Sequence, residues 1–140
     1  MAHLRSAAVG DQLPPLTHEI TQADLIRYAG ASGDFNPLHW DPAFAANVSP
    51  TGGVIAHGML NMGIVAQLVA DWAGGPAYVR DLDVSFRKPC PAGTVVTAGG
   101  EVTQVDAEAG TVTLAIWVEG PEGERFVDRR RSVAIVAAGP

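Results

Sequence analysis

The chain has 140 residues, 47% of them hydrophobic, which suits one compact domain with a sizeable core and leaves too little for a second. A formal net charge of −6 and a pI near 5.0 provide no global attraction for nucleic acid or an anionic membrane, so neither is expected as a partner. The single cysteine, Cys90, excludes an intrachain disulfide framework and suits a reducing, cytoplasmic setting. It lies between Pro89 and Pro91, which reads as a turn, and nothing beside it in sequence would make the thiol reactive.

Taken in order, Met1 to Arg5 leads into a polar Gly-Asp turn without an apolar h-region, so no signal peptide is expected. Leu16 to Ile20 reads as a short strand ending at Thr21. Thr21 is a good N-cap with Asp24 three residues on, and Leu25, Ile26, Tyr28 and Ala29 supply apolar side chains to a helix that Gly30 to Gly33 stops. Asp41-Pro42 starts a short helical turn through Phe44 and Ala46, and Asn47 to Gly53 reads as a loop. Gly58 to Ala70 is apolar on nearly every face and belongs in the middle of the domain, with Gly74-Gly75-Pro76 ending it. Interrupted by Asn61 and Gln67, that run is too short to span a bilayer. From Tyr78 the period changes to that of strands. Leu82, Val84 and Phe86 alternate with polar residues, as do Val112, Leu114, Ile116 and Val118, with a strand over Thr94 to Val105 between them. Turns at Asp106 to Gly110 and Gly120 to Gly123 make these strands antiparallel neighbours, and a last strand is expected from about Phe126 to Val136. One buried helix followed by an antiparallel meander requires the sheet to curl around the helix, an α+β arrangement.

The stretch from Gly33 to His39 carries the chemistry. Pro37 fixes its own φ and pushes Asn36 out of the α region, so the segment is an ordered loop in which Asp34 and His39 can converge. Two readings stand: a general acid/base pair, or turn residues that cap local amides and a histidine that is packed or solvated. The first turn of the apolar helix, at His57 and Gly58, has unpaired amides able to hold a polarised oxygen, and the glycine lets a ligand approach the backbone. His39, His57, Asp34 and Asp41 show no metal-ligand spacing on one helix, so no metal is expected. Arg87-Lys88 and Arg129-Arg130-Arg131 are either solvated strand ends or a phosphate-recognising patch. Trp40, Trp72 and Trp117 read as core or interface residues.

Tyr28-x-x-x-Ser32-Gly33-Asp34-Phe35-Asn36-Pro37-Leu38-His39, followed by Ile55-Ala56-His57-Gly58-Met59-Leu60, resembles the signature of MaoC-like (R)-specific enoyl-CoA hydratases and (3R)-hydroxyacyl-ACP dehydratases. The Val9-Gly10-Asp11 turn and the Gly58-Met59-Leu60-x-Met62-Gly63 pattern also look like the catalytic subunit of heterodimeric dehydratases of fatty acid elongation. The resemblance implies a single hot-dog domain over the whole chain and an enzyme acting on acyl-CoA or acyl-ACP thioesters without a cofactor. It implies that Asp34 and His39 are the catalytic pair, that the Gly58 amide forms an oxyanion hole and that Asn36 supports the loop. His57, chiefly structural in the family pattern, joins Met59, Met62, Arg87, Lys88 and Arg129 as candidates for substrate contact. A homodimer, or a heterodimer with another hot-dog subunit, is expected to cover the sheet edge; a non-catalytic partner subunit is the alternative. The sequence departs from several members in having Ala66 where they place a serine that helps hold the active-site loop, so that loop must be held differently here.

Overall fold

The computed structural model describes residues 6–137, so the reading of Met1 to Arg5 lies outside the described residues. Leu16–Glu19 forms β1. Thr21 then caps α1, Gln22–Ser32, through a reciprocal pair: its hydroxyl accepts from the Asp24 amide and the Asp24 carboxylate accepts from the Thr21 amide. That bond, with a second from the Thr21 hydroxyl, holds the Asp24 carboxyl below its usual range. Leu25 and Ala29 turn inward, whereas Ile26 stays exposed. Gly33 ends α1 in the left-handed conformation, φ 78°, a sharp reversal that a side chain would resist. Pro42–Val48 is α2, capped by Asp41 on the amides of Ala43 and Phe44; it runs past the point where the sequence suggested a loop. Gly58–Ala73 is α3, closed by a left-handed Gly74.

The strands are β2 (Val79–Asp83), β3 (Val95–Asp106), β4 (Thr111–Glu119), β5 (Arg125–Val127) and β6 (Val133–Ala137). They build one antiparallel sheet in the order β1-β3-β4-β6-β2, with β5 also paired to β4. α3 packs against every one of these strands, so the sheet curls about its buried face, but the helix is not enclosed on every side as its sequence suggested: Met59, Gly63, Gln67 and Asp71 leave one stripe exposed. Ile64, Val65, Leu68 and Val69 of α3 meet Val96, Val102, Leu114, Ile116 and Val136 in one core.

Two sequence expectations are corrected. The last strand is not continuous from Phe126 to Val136, and the alternation through Phe86 does not make β2 longer, because both strands break beside each other. The buried Asp128 carboxylate accepts from the Arg87 Nε at 2.7 Å and from the Arg130 amide, and the Ser132 hydroxyl accepts from the Ser85 amide. The pairing resumes beyond the break, with the Arg87 and Lys88 amides donating to the carbonyls of Phe126 and Arg125. Such a paired irregularity re-aims side chains. Here it sets Phe86 against the start of α3, where a Cβ on Gly58 would lie 3.4 Å from the ring.

Trp72 is half-buried against the core, as expected. Trp40 is an exposed residue whose indole donates to the Phe35 carbonyl. Trp117 lies directly across from Gly99 in the β3/β4 ladder, and an added Cβ at Gly99 would come within 2.4 Å of its ring. Gly99→Ala is therefore expected to lower stability in urea denaturation by about 1–3 kcal/mol, the usual cost of overpacking. Adding Trp117→Ala should recover part of that loss, because the clash and the ring disappear together.

Candidate active site

Residues 34–39 and 54–58 form two loops that hold each other through their histidines. The His39 Nδ1 donates to the Ile55 carbonyl at 2.7 Å, and the His57 Nε2 donates to the Asp34 carbonyl at 3.1 Å. The Ile55 amide adds a bond to the Leu38 carbonyl at 3.3 Å. The two imidazoles stack, centroids 3.8 Å apart and planes 23° from parallel, with Tyr28 tilted against His57. With Ala66 on α3, the bond from the His57 ring to the Asp34 carbonyl ties residues 34–39 to the start of that helix.

Because a carbonyl only accepts, His39 carries its proton on Nδ1, and in the neutral ring the Nε2 keeps a lone pair. That Nε2 lies 3.9 Å from the Asp34 Oδ2. The separation is too long for a direct hydrogen bond and short enough for one shared water. Asp34 divides its two oxygens: Oδ1 accepts from the Asn36 amide, and Oδ2 faces the histidine. Turn capping and convergence thus occur together on one carboxylate, whose side chain is 53% exposed. The Asn36 side chain accepts from the Leu38 amide and caps the 3₁₀ turn Pro37–His39, so it acts on the turn that carries His39.

His57 is 3% exposed, and its Nδ1 is buried without a hydrogen-bond partner. Burial pushes its pKa below the usual imidazole value; the Asp34 carbonyl opposes this, and the neighbouring His39 adds to the depression. Asp34, His39 and His57 offer ligand atoms within 4.8 Å of one another. Each ring already commits one nitrogen to a backbone carbonyl, and the two planes are stacked. A metal at about 2.0–2.1 Å from both nitrogens would require one ring to turn and break its carbonyl bond.

His39, Gly58 and Asn61 line a cavity of about 270 Å³ beside the first turn of α3. Ile55, Ala56, Cys90 and Phe126 complete its inner wall, while Phe86, Arg87 and Lys88 stand exposed at its mouth. Burial raises the Cys90 pKa to about 11, so the thiol stays protonated at neutral pH. Sequence reading treated Asn61 only as a break in an apolar run. Its three-residue spacing from Gly58 was the available signal, since residues at that spacing share a helix face. The same geometry places Met59 on the exposed surface and leaves the half-buried Met62 off the cavity wall.

Lys88 and Arg87 also border a neighbouring groove of about 490 Å³ that gathers Arg125 and Arg130, two arginines the sequence did not bring to this place. Arg87 and the Arg130 amide hold the Asp128 carboxyl below its usual range. Arg129 points elsewhere: it pairs with Glu101 and lies 4.2 Å over the Trp117 ring. A larger hollow of about 570 Å³, lined by Pro14, Leu68 and Trp72 among others, contains no histidine and does not reach the pair.

The MaoC like domain family matches residues 6–119. The chain is 34% identical over 119 residues to the (R)-specific enoyl-CoA hydratase of Aeromonas caviae, a match covering 83% of this chain and 87% of that protein. The solved structure of the (R)-hydratase from A. caviae superposes with a TM-score of 0.86 at 31% identity, covering 96% of this chain and 99% of that one. The ChsH1-ChsH2 complex from Mycobacterium tuberculosis superposes with a TM-score of 0.80 at 25% identity, covering 94% and 98%.

The depressed His57 pKa links stability to pH. Below about pH 6.5 the unfolded chain takes up a proton that the folded site resists, so stability is present above that pH and falls as pH drops through it. Thermal unfolding followed from pH 7.5 down to pH 5 should show a falling midpoint in the parent, and His57→Gln should flatten that slope.

Proposed function

The chain belongs to the MaoC-like domain family and is a hydro-lyase of the enoyl-CoA hydratase and dehydratase type, and on that premise we propose that Asp34, His39 and the Gly58 amide interconvert trans-2-enoyl and (3R)-3-hydroxyacyl thioesters of coenzyme A or acyl carrier protein. The observation that carries this reading is the 3.9 Å gap between the His39 Nε2 and the Asp34 Oδ2. His39 also lines a cavity that begins at the N-terminus of α3, whereas Asp34 is not part of its wall.

A water in that gap is polarised by both groups. In hydration, the His39 Nε2 takes one proton from the water while its oxygen attacks Cβ. Negative charge moves to the thioester oxygen, and the Gly58 amide, unpaired within its helix, donates to it. Donors of this kind are worth about 3–4 kcal/mol because they are already aimed where the charge forms. The proton held by His39 then crosses the gap to the Asp34 carboxylate, which passes it on to Cα and is a carboxylate again at the end of the cycle. Dehydration runs the same steps in reverse. His57 acts as a positioning residue, since it holds Asp34 by its carbonyl and His39 by its ring.

The rim gives the thioester a direction. Arg87, Lys88, Arg125 and Arg130 gather against one carboxylate, Asp128, and suit the phosphates of the carrier end through paired donors. The acyl end then enters the inner cavity. The protein works as one hot-dog domain in the cytoplasm, joined to a second hot-dog chain along the sheet, whose outermost strands are β1 and β2. Likeness to a two-component complex favours a second reading, in which this chain is a subunit that needs a different partner for activity.

The test follows loss of enoyl thioester absorbance on trans-2-enoyl-CoA and enoyl carrier-protein substrates. Asp34→Asn and His39→Ala should each lower kcat/KM roughly a hundred- to ten-thousand-fold; Asp34→Asn should leave the folded midpoint nearly unchanged, whereas His39→Ala should also lower it, because the Ile55 carbonyl loses its donor. Retention of parental rates by either variant overturns the assigned pair. Mass measurement of the purified chain separates the two readings: an active homodimer rules out the partner-dependent one, and activity that appears only with a second chain establishes it.

A further inference from the structure

We propose that Trp40 is a positioning residue for the acid/base pair: its indole aims the Asp34 carboxylate at His39 through a single peptide group. The inference rests on the reading of Asp34 and His39 as that pair. Trp40 stands 40% exposed, so its ring adds little to the core, and its Nε1 donates to the Phe35 carbonyl at 2.9 Å. That carbonyl and the Asn36 N–H belong to one planar peptide unit. The Asn36 N–H donates to the Asp34 Oδ1 at 3.2 Å, and the Asp34 Oδ2 is the oxygen 3.9 Å from the His39 Nε2. Indole, peptide and carboxylate form one chain of donors and acceptors that ends at the gap between the pair.

The planarity of the peptide is what lets this chain transmit orientation. The oxygen and the N–H point to opposite sides of a unit that resists twisting, so fixing the oxygen fixes the line along which the N–H meets Oδ1. A carbonyl that accepts a hydrogen bond also polarises the N–H of its own unit and strengthens the next bond in the chain. Without the indole, the Phe35–Asn36 peptide can turn about its flanking torsions, and a carboxylate that is 53% exposed has water to turn toward instead.

Trp40 is itself fixed on the His39 side of the turn. It follows His39 directly, its amide donates to the Pro37 carbonyl at 3.3 Å, and its carbonyl accepts from the Gln22 Nε2 of α1 at 3.1 Å. Its ring shares the walls of a hollow of about 300 Å³ with Phe35 and with Ile26 and Ala29 of α1. The bond from Trp40 to Phe35 therefore crosses the turn, from the residue after His39 to the residue after Asp34. The Ser32 hydroxyl, which accepts from the Asp34 amide, and the His57 ring, which donates to the Asp34 carbonyl, hold that residue's backbone and leave its side-chain torsions unset. Trp40 supplies the control that those two ties lack.

The experiment is a double-mutant cycle on the turnover of saturating trans-2-enoyl-CoA, with Trp40→Phe and Asp34→Asn made singly and together in the full chain. Trp40→Phe should lower kcat about 5- to 50-fold with KM within about threefold of the parent, since a small misplacement of a catalytic group is felt in the chemical step. In the Asp34→Asn background the same change should cost less than about twofold, because the carboxylate that it aims is gone. A tryptophan that only stabilises the loop would cost the same factor in both backgrounds, and that result overturns the proposal, as does parental kcat in Trp40→Phe. Benzothienylalanine at position 40 keeps the shape of the ring and puts sulfur in place of the N–H. It should match Trp40→Phe, and parental turnover there shows that the donor is irrelevant and overturns the proposal. Hydrogen exchange followed by NMR reads the chain without turnover: the Asn36 amide should exchange roughly fivefold faster or more in Trp40→Phe, and an unchanged rate overturns the proposal. Full activity of Asp34→Asn alone overturns the catalytic pair and this inference with it, whereas the expected loss there beside an unaffected Trp40→Phe overturns this inference alone.

Discussion

The reciprocal grip of two histidines on two backbone carbonyls is the constraint on which the site depends. Each loop supplies one imidazole and one carbonyl, so neither loop can move without costing the other a hydrogen bond. The grip also settles chemistry. By occupying the His39 Nδ1, the Ile55 carbonyl leaves the basic nitrogen facing Asp34, and by holding the Asp34 carbonyl, His57 leaves that carboxylate turned back toward His39. Stacking discourages a second positive charge beside the first, and burial already keeps His57 neutral. Position and protonation are thus fixed by the same few atoms.

The core explains why this grip sits at one end of α3. The curled sheet covers the buried face of α3 and leaves the stripe of Met59, Gly63, Gln67 and Asp71 exposed, and the helix N-terminus emerges beside the opening. There the paired break between β2 and β6, tied by Asp128 to Arg87 and by Ser132 to Ser85, lets Phe86 and the basic residues swing toward the opening. A regular ladder would have kept Phe86 on the core face that its alternation suggested. The irregularity in the sheet and the mouth of the site are one feature.

Much of this was legible in the sequence where local chemistry decides the outcome. Thr21 with Asp24, Asp41 with Pro42, and the glycines at 33 and 74 mark helix ends that the structure keeps. The curled sheet followed from the long apolar run of α3, although Gln67 and Asp71 lie on a stripe that the sheet leaves exposed. The convergence of Asp34 and His39 was legible because Pro37 forbids a helix between them. What escaped depended on partners distant in sequence. The break at Asp128 needs Arg87, forty-one residues away, and no window along the chain contains both. Asn61 looked like an interruption because its surroundings, Cys90 among them, lie far along the chain. The tautomer of His39 likewise belongs to a carbonyl sixteen positions on.

The thiol of Cys90 acquires a further significance from the kind of molecule proposed to enter. A trans-2-enoyl thioester is an electrophile at Cβ, and a thiolate on the cavity wall would compete with water for that carbon and leave the protein alkylated. Cys90 is 1% exposed, and burial raises its pKa to about 11, so the fraction ionised at neutral pH is very small. On the proposed reading, self-inactivation is avoided without removing the sulfur, because the burial that forms this wall also disarms the nucleophile within it.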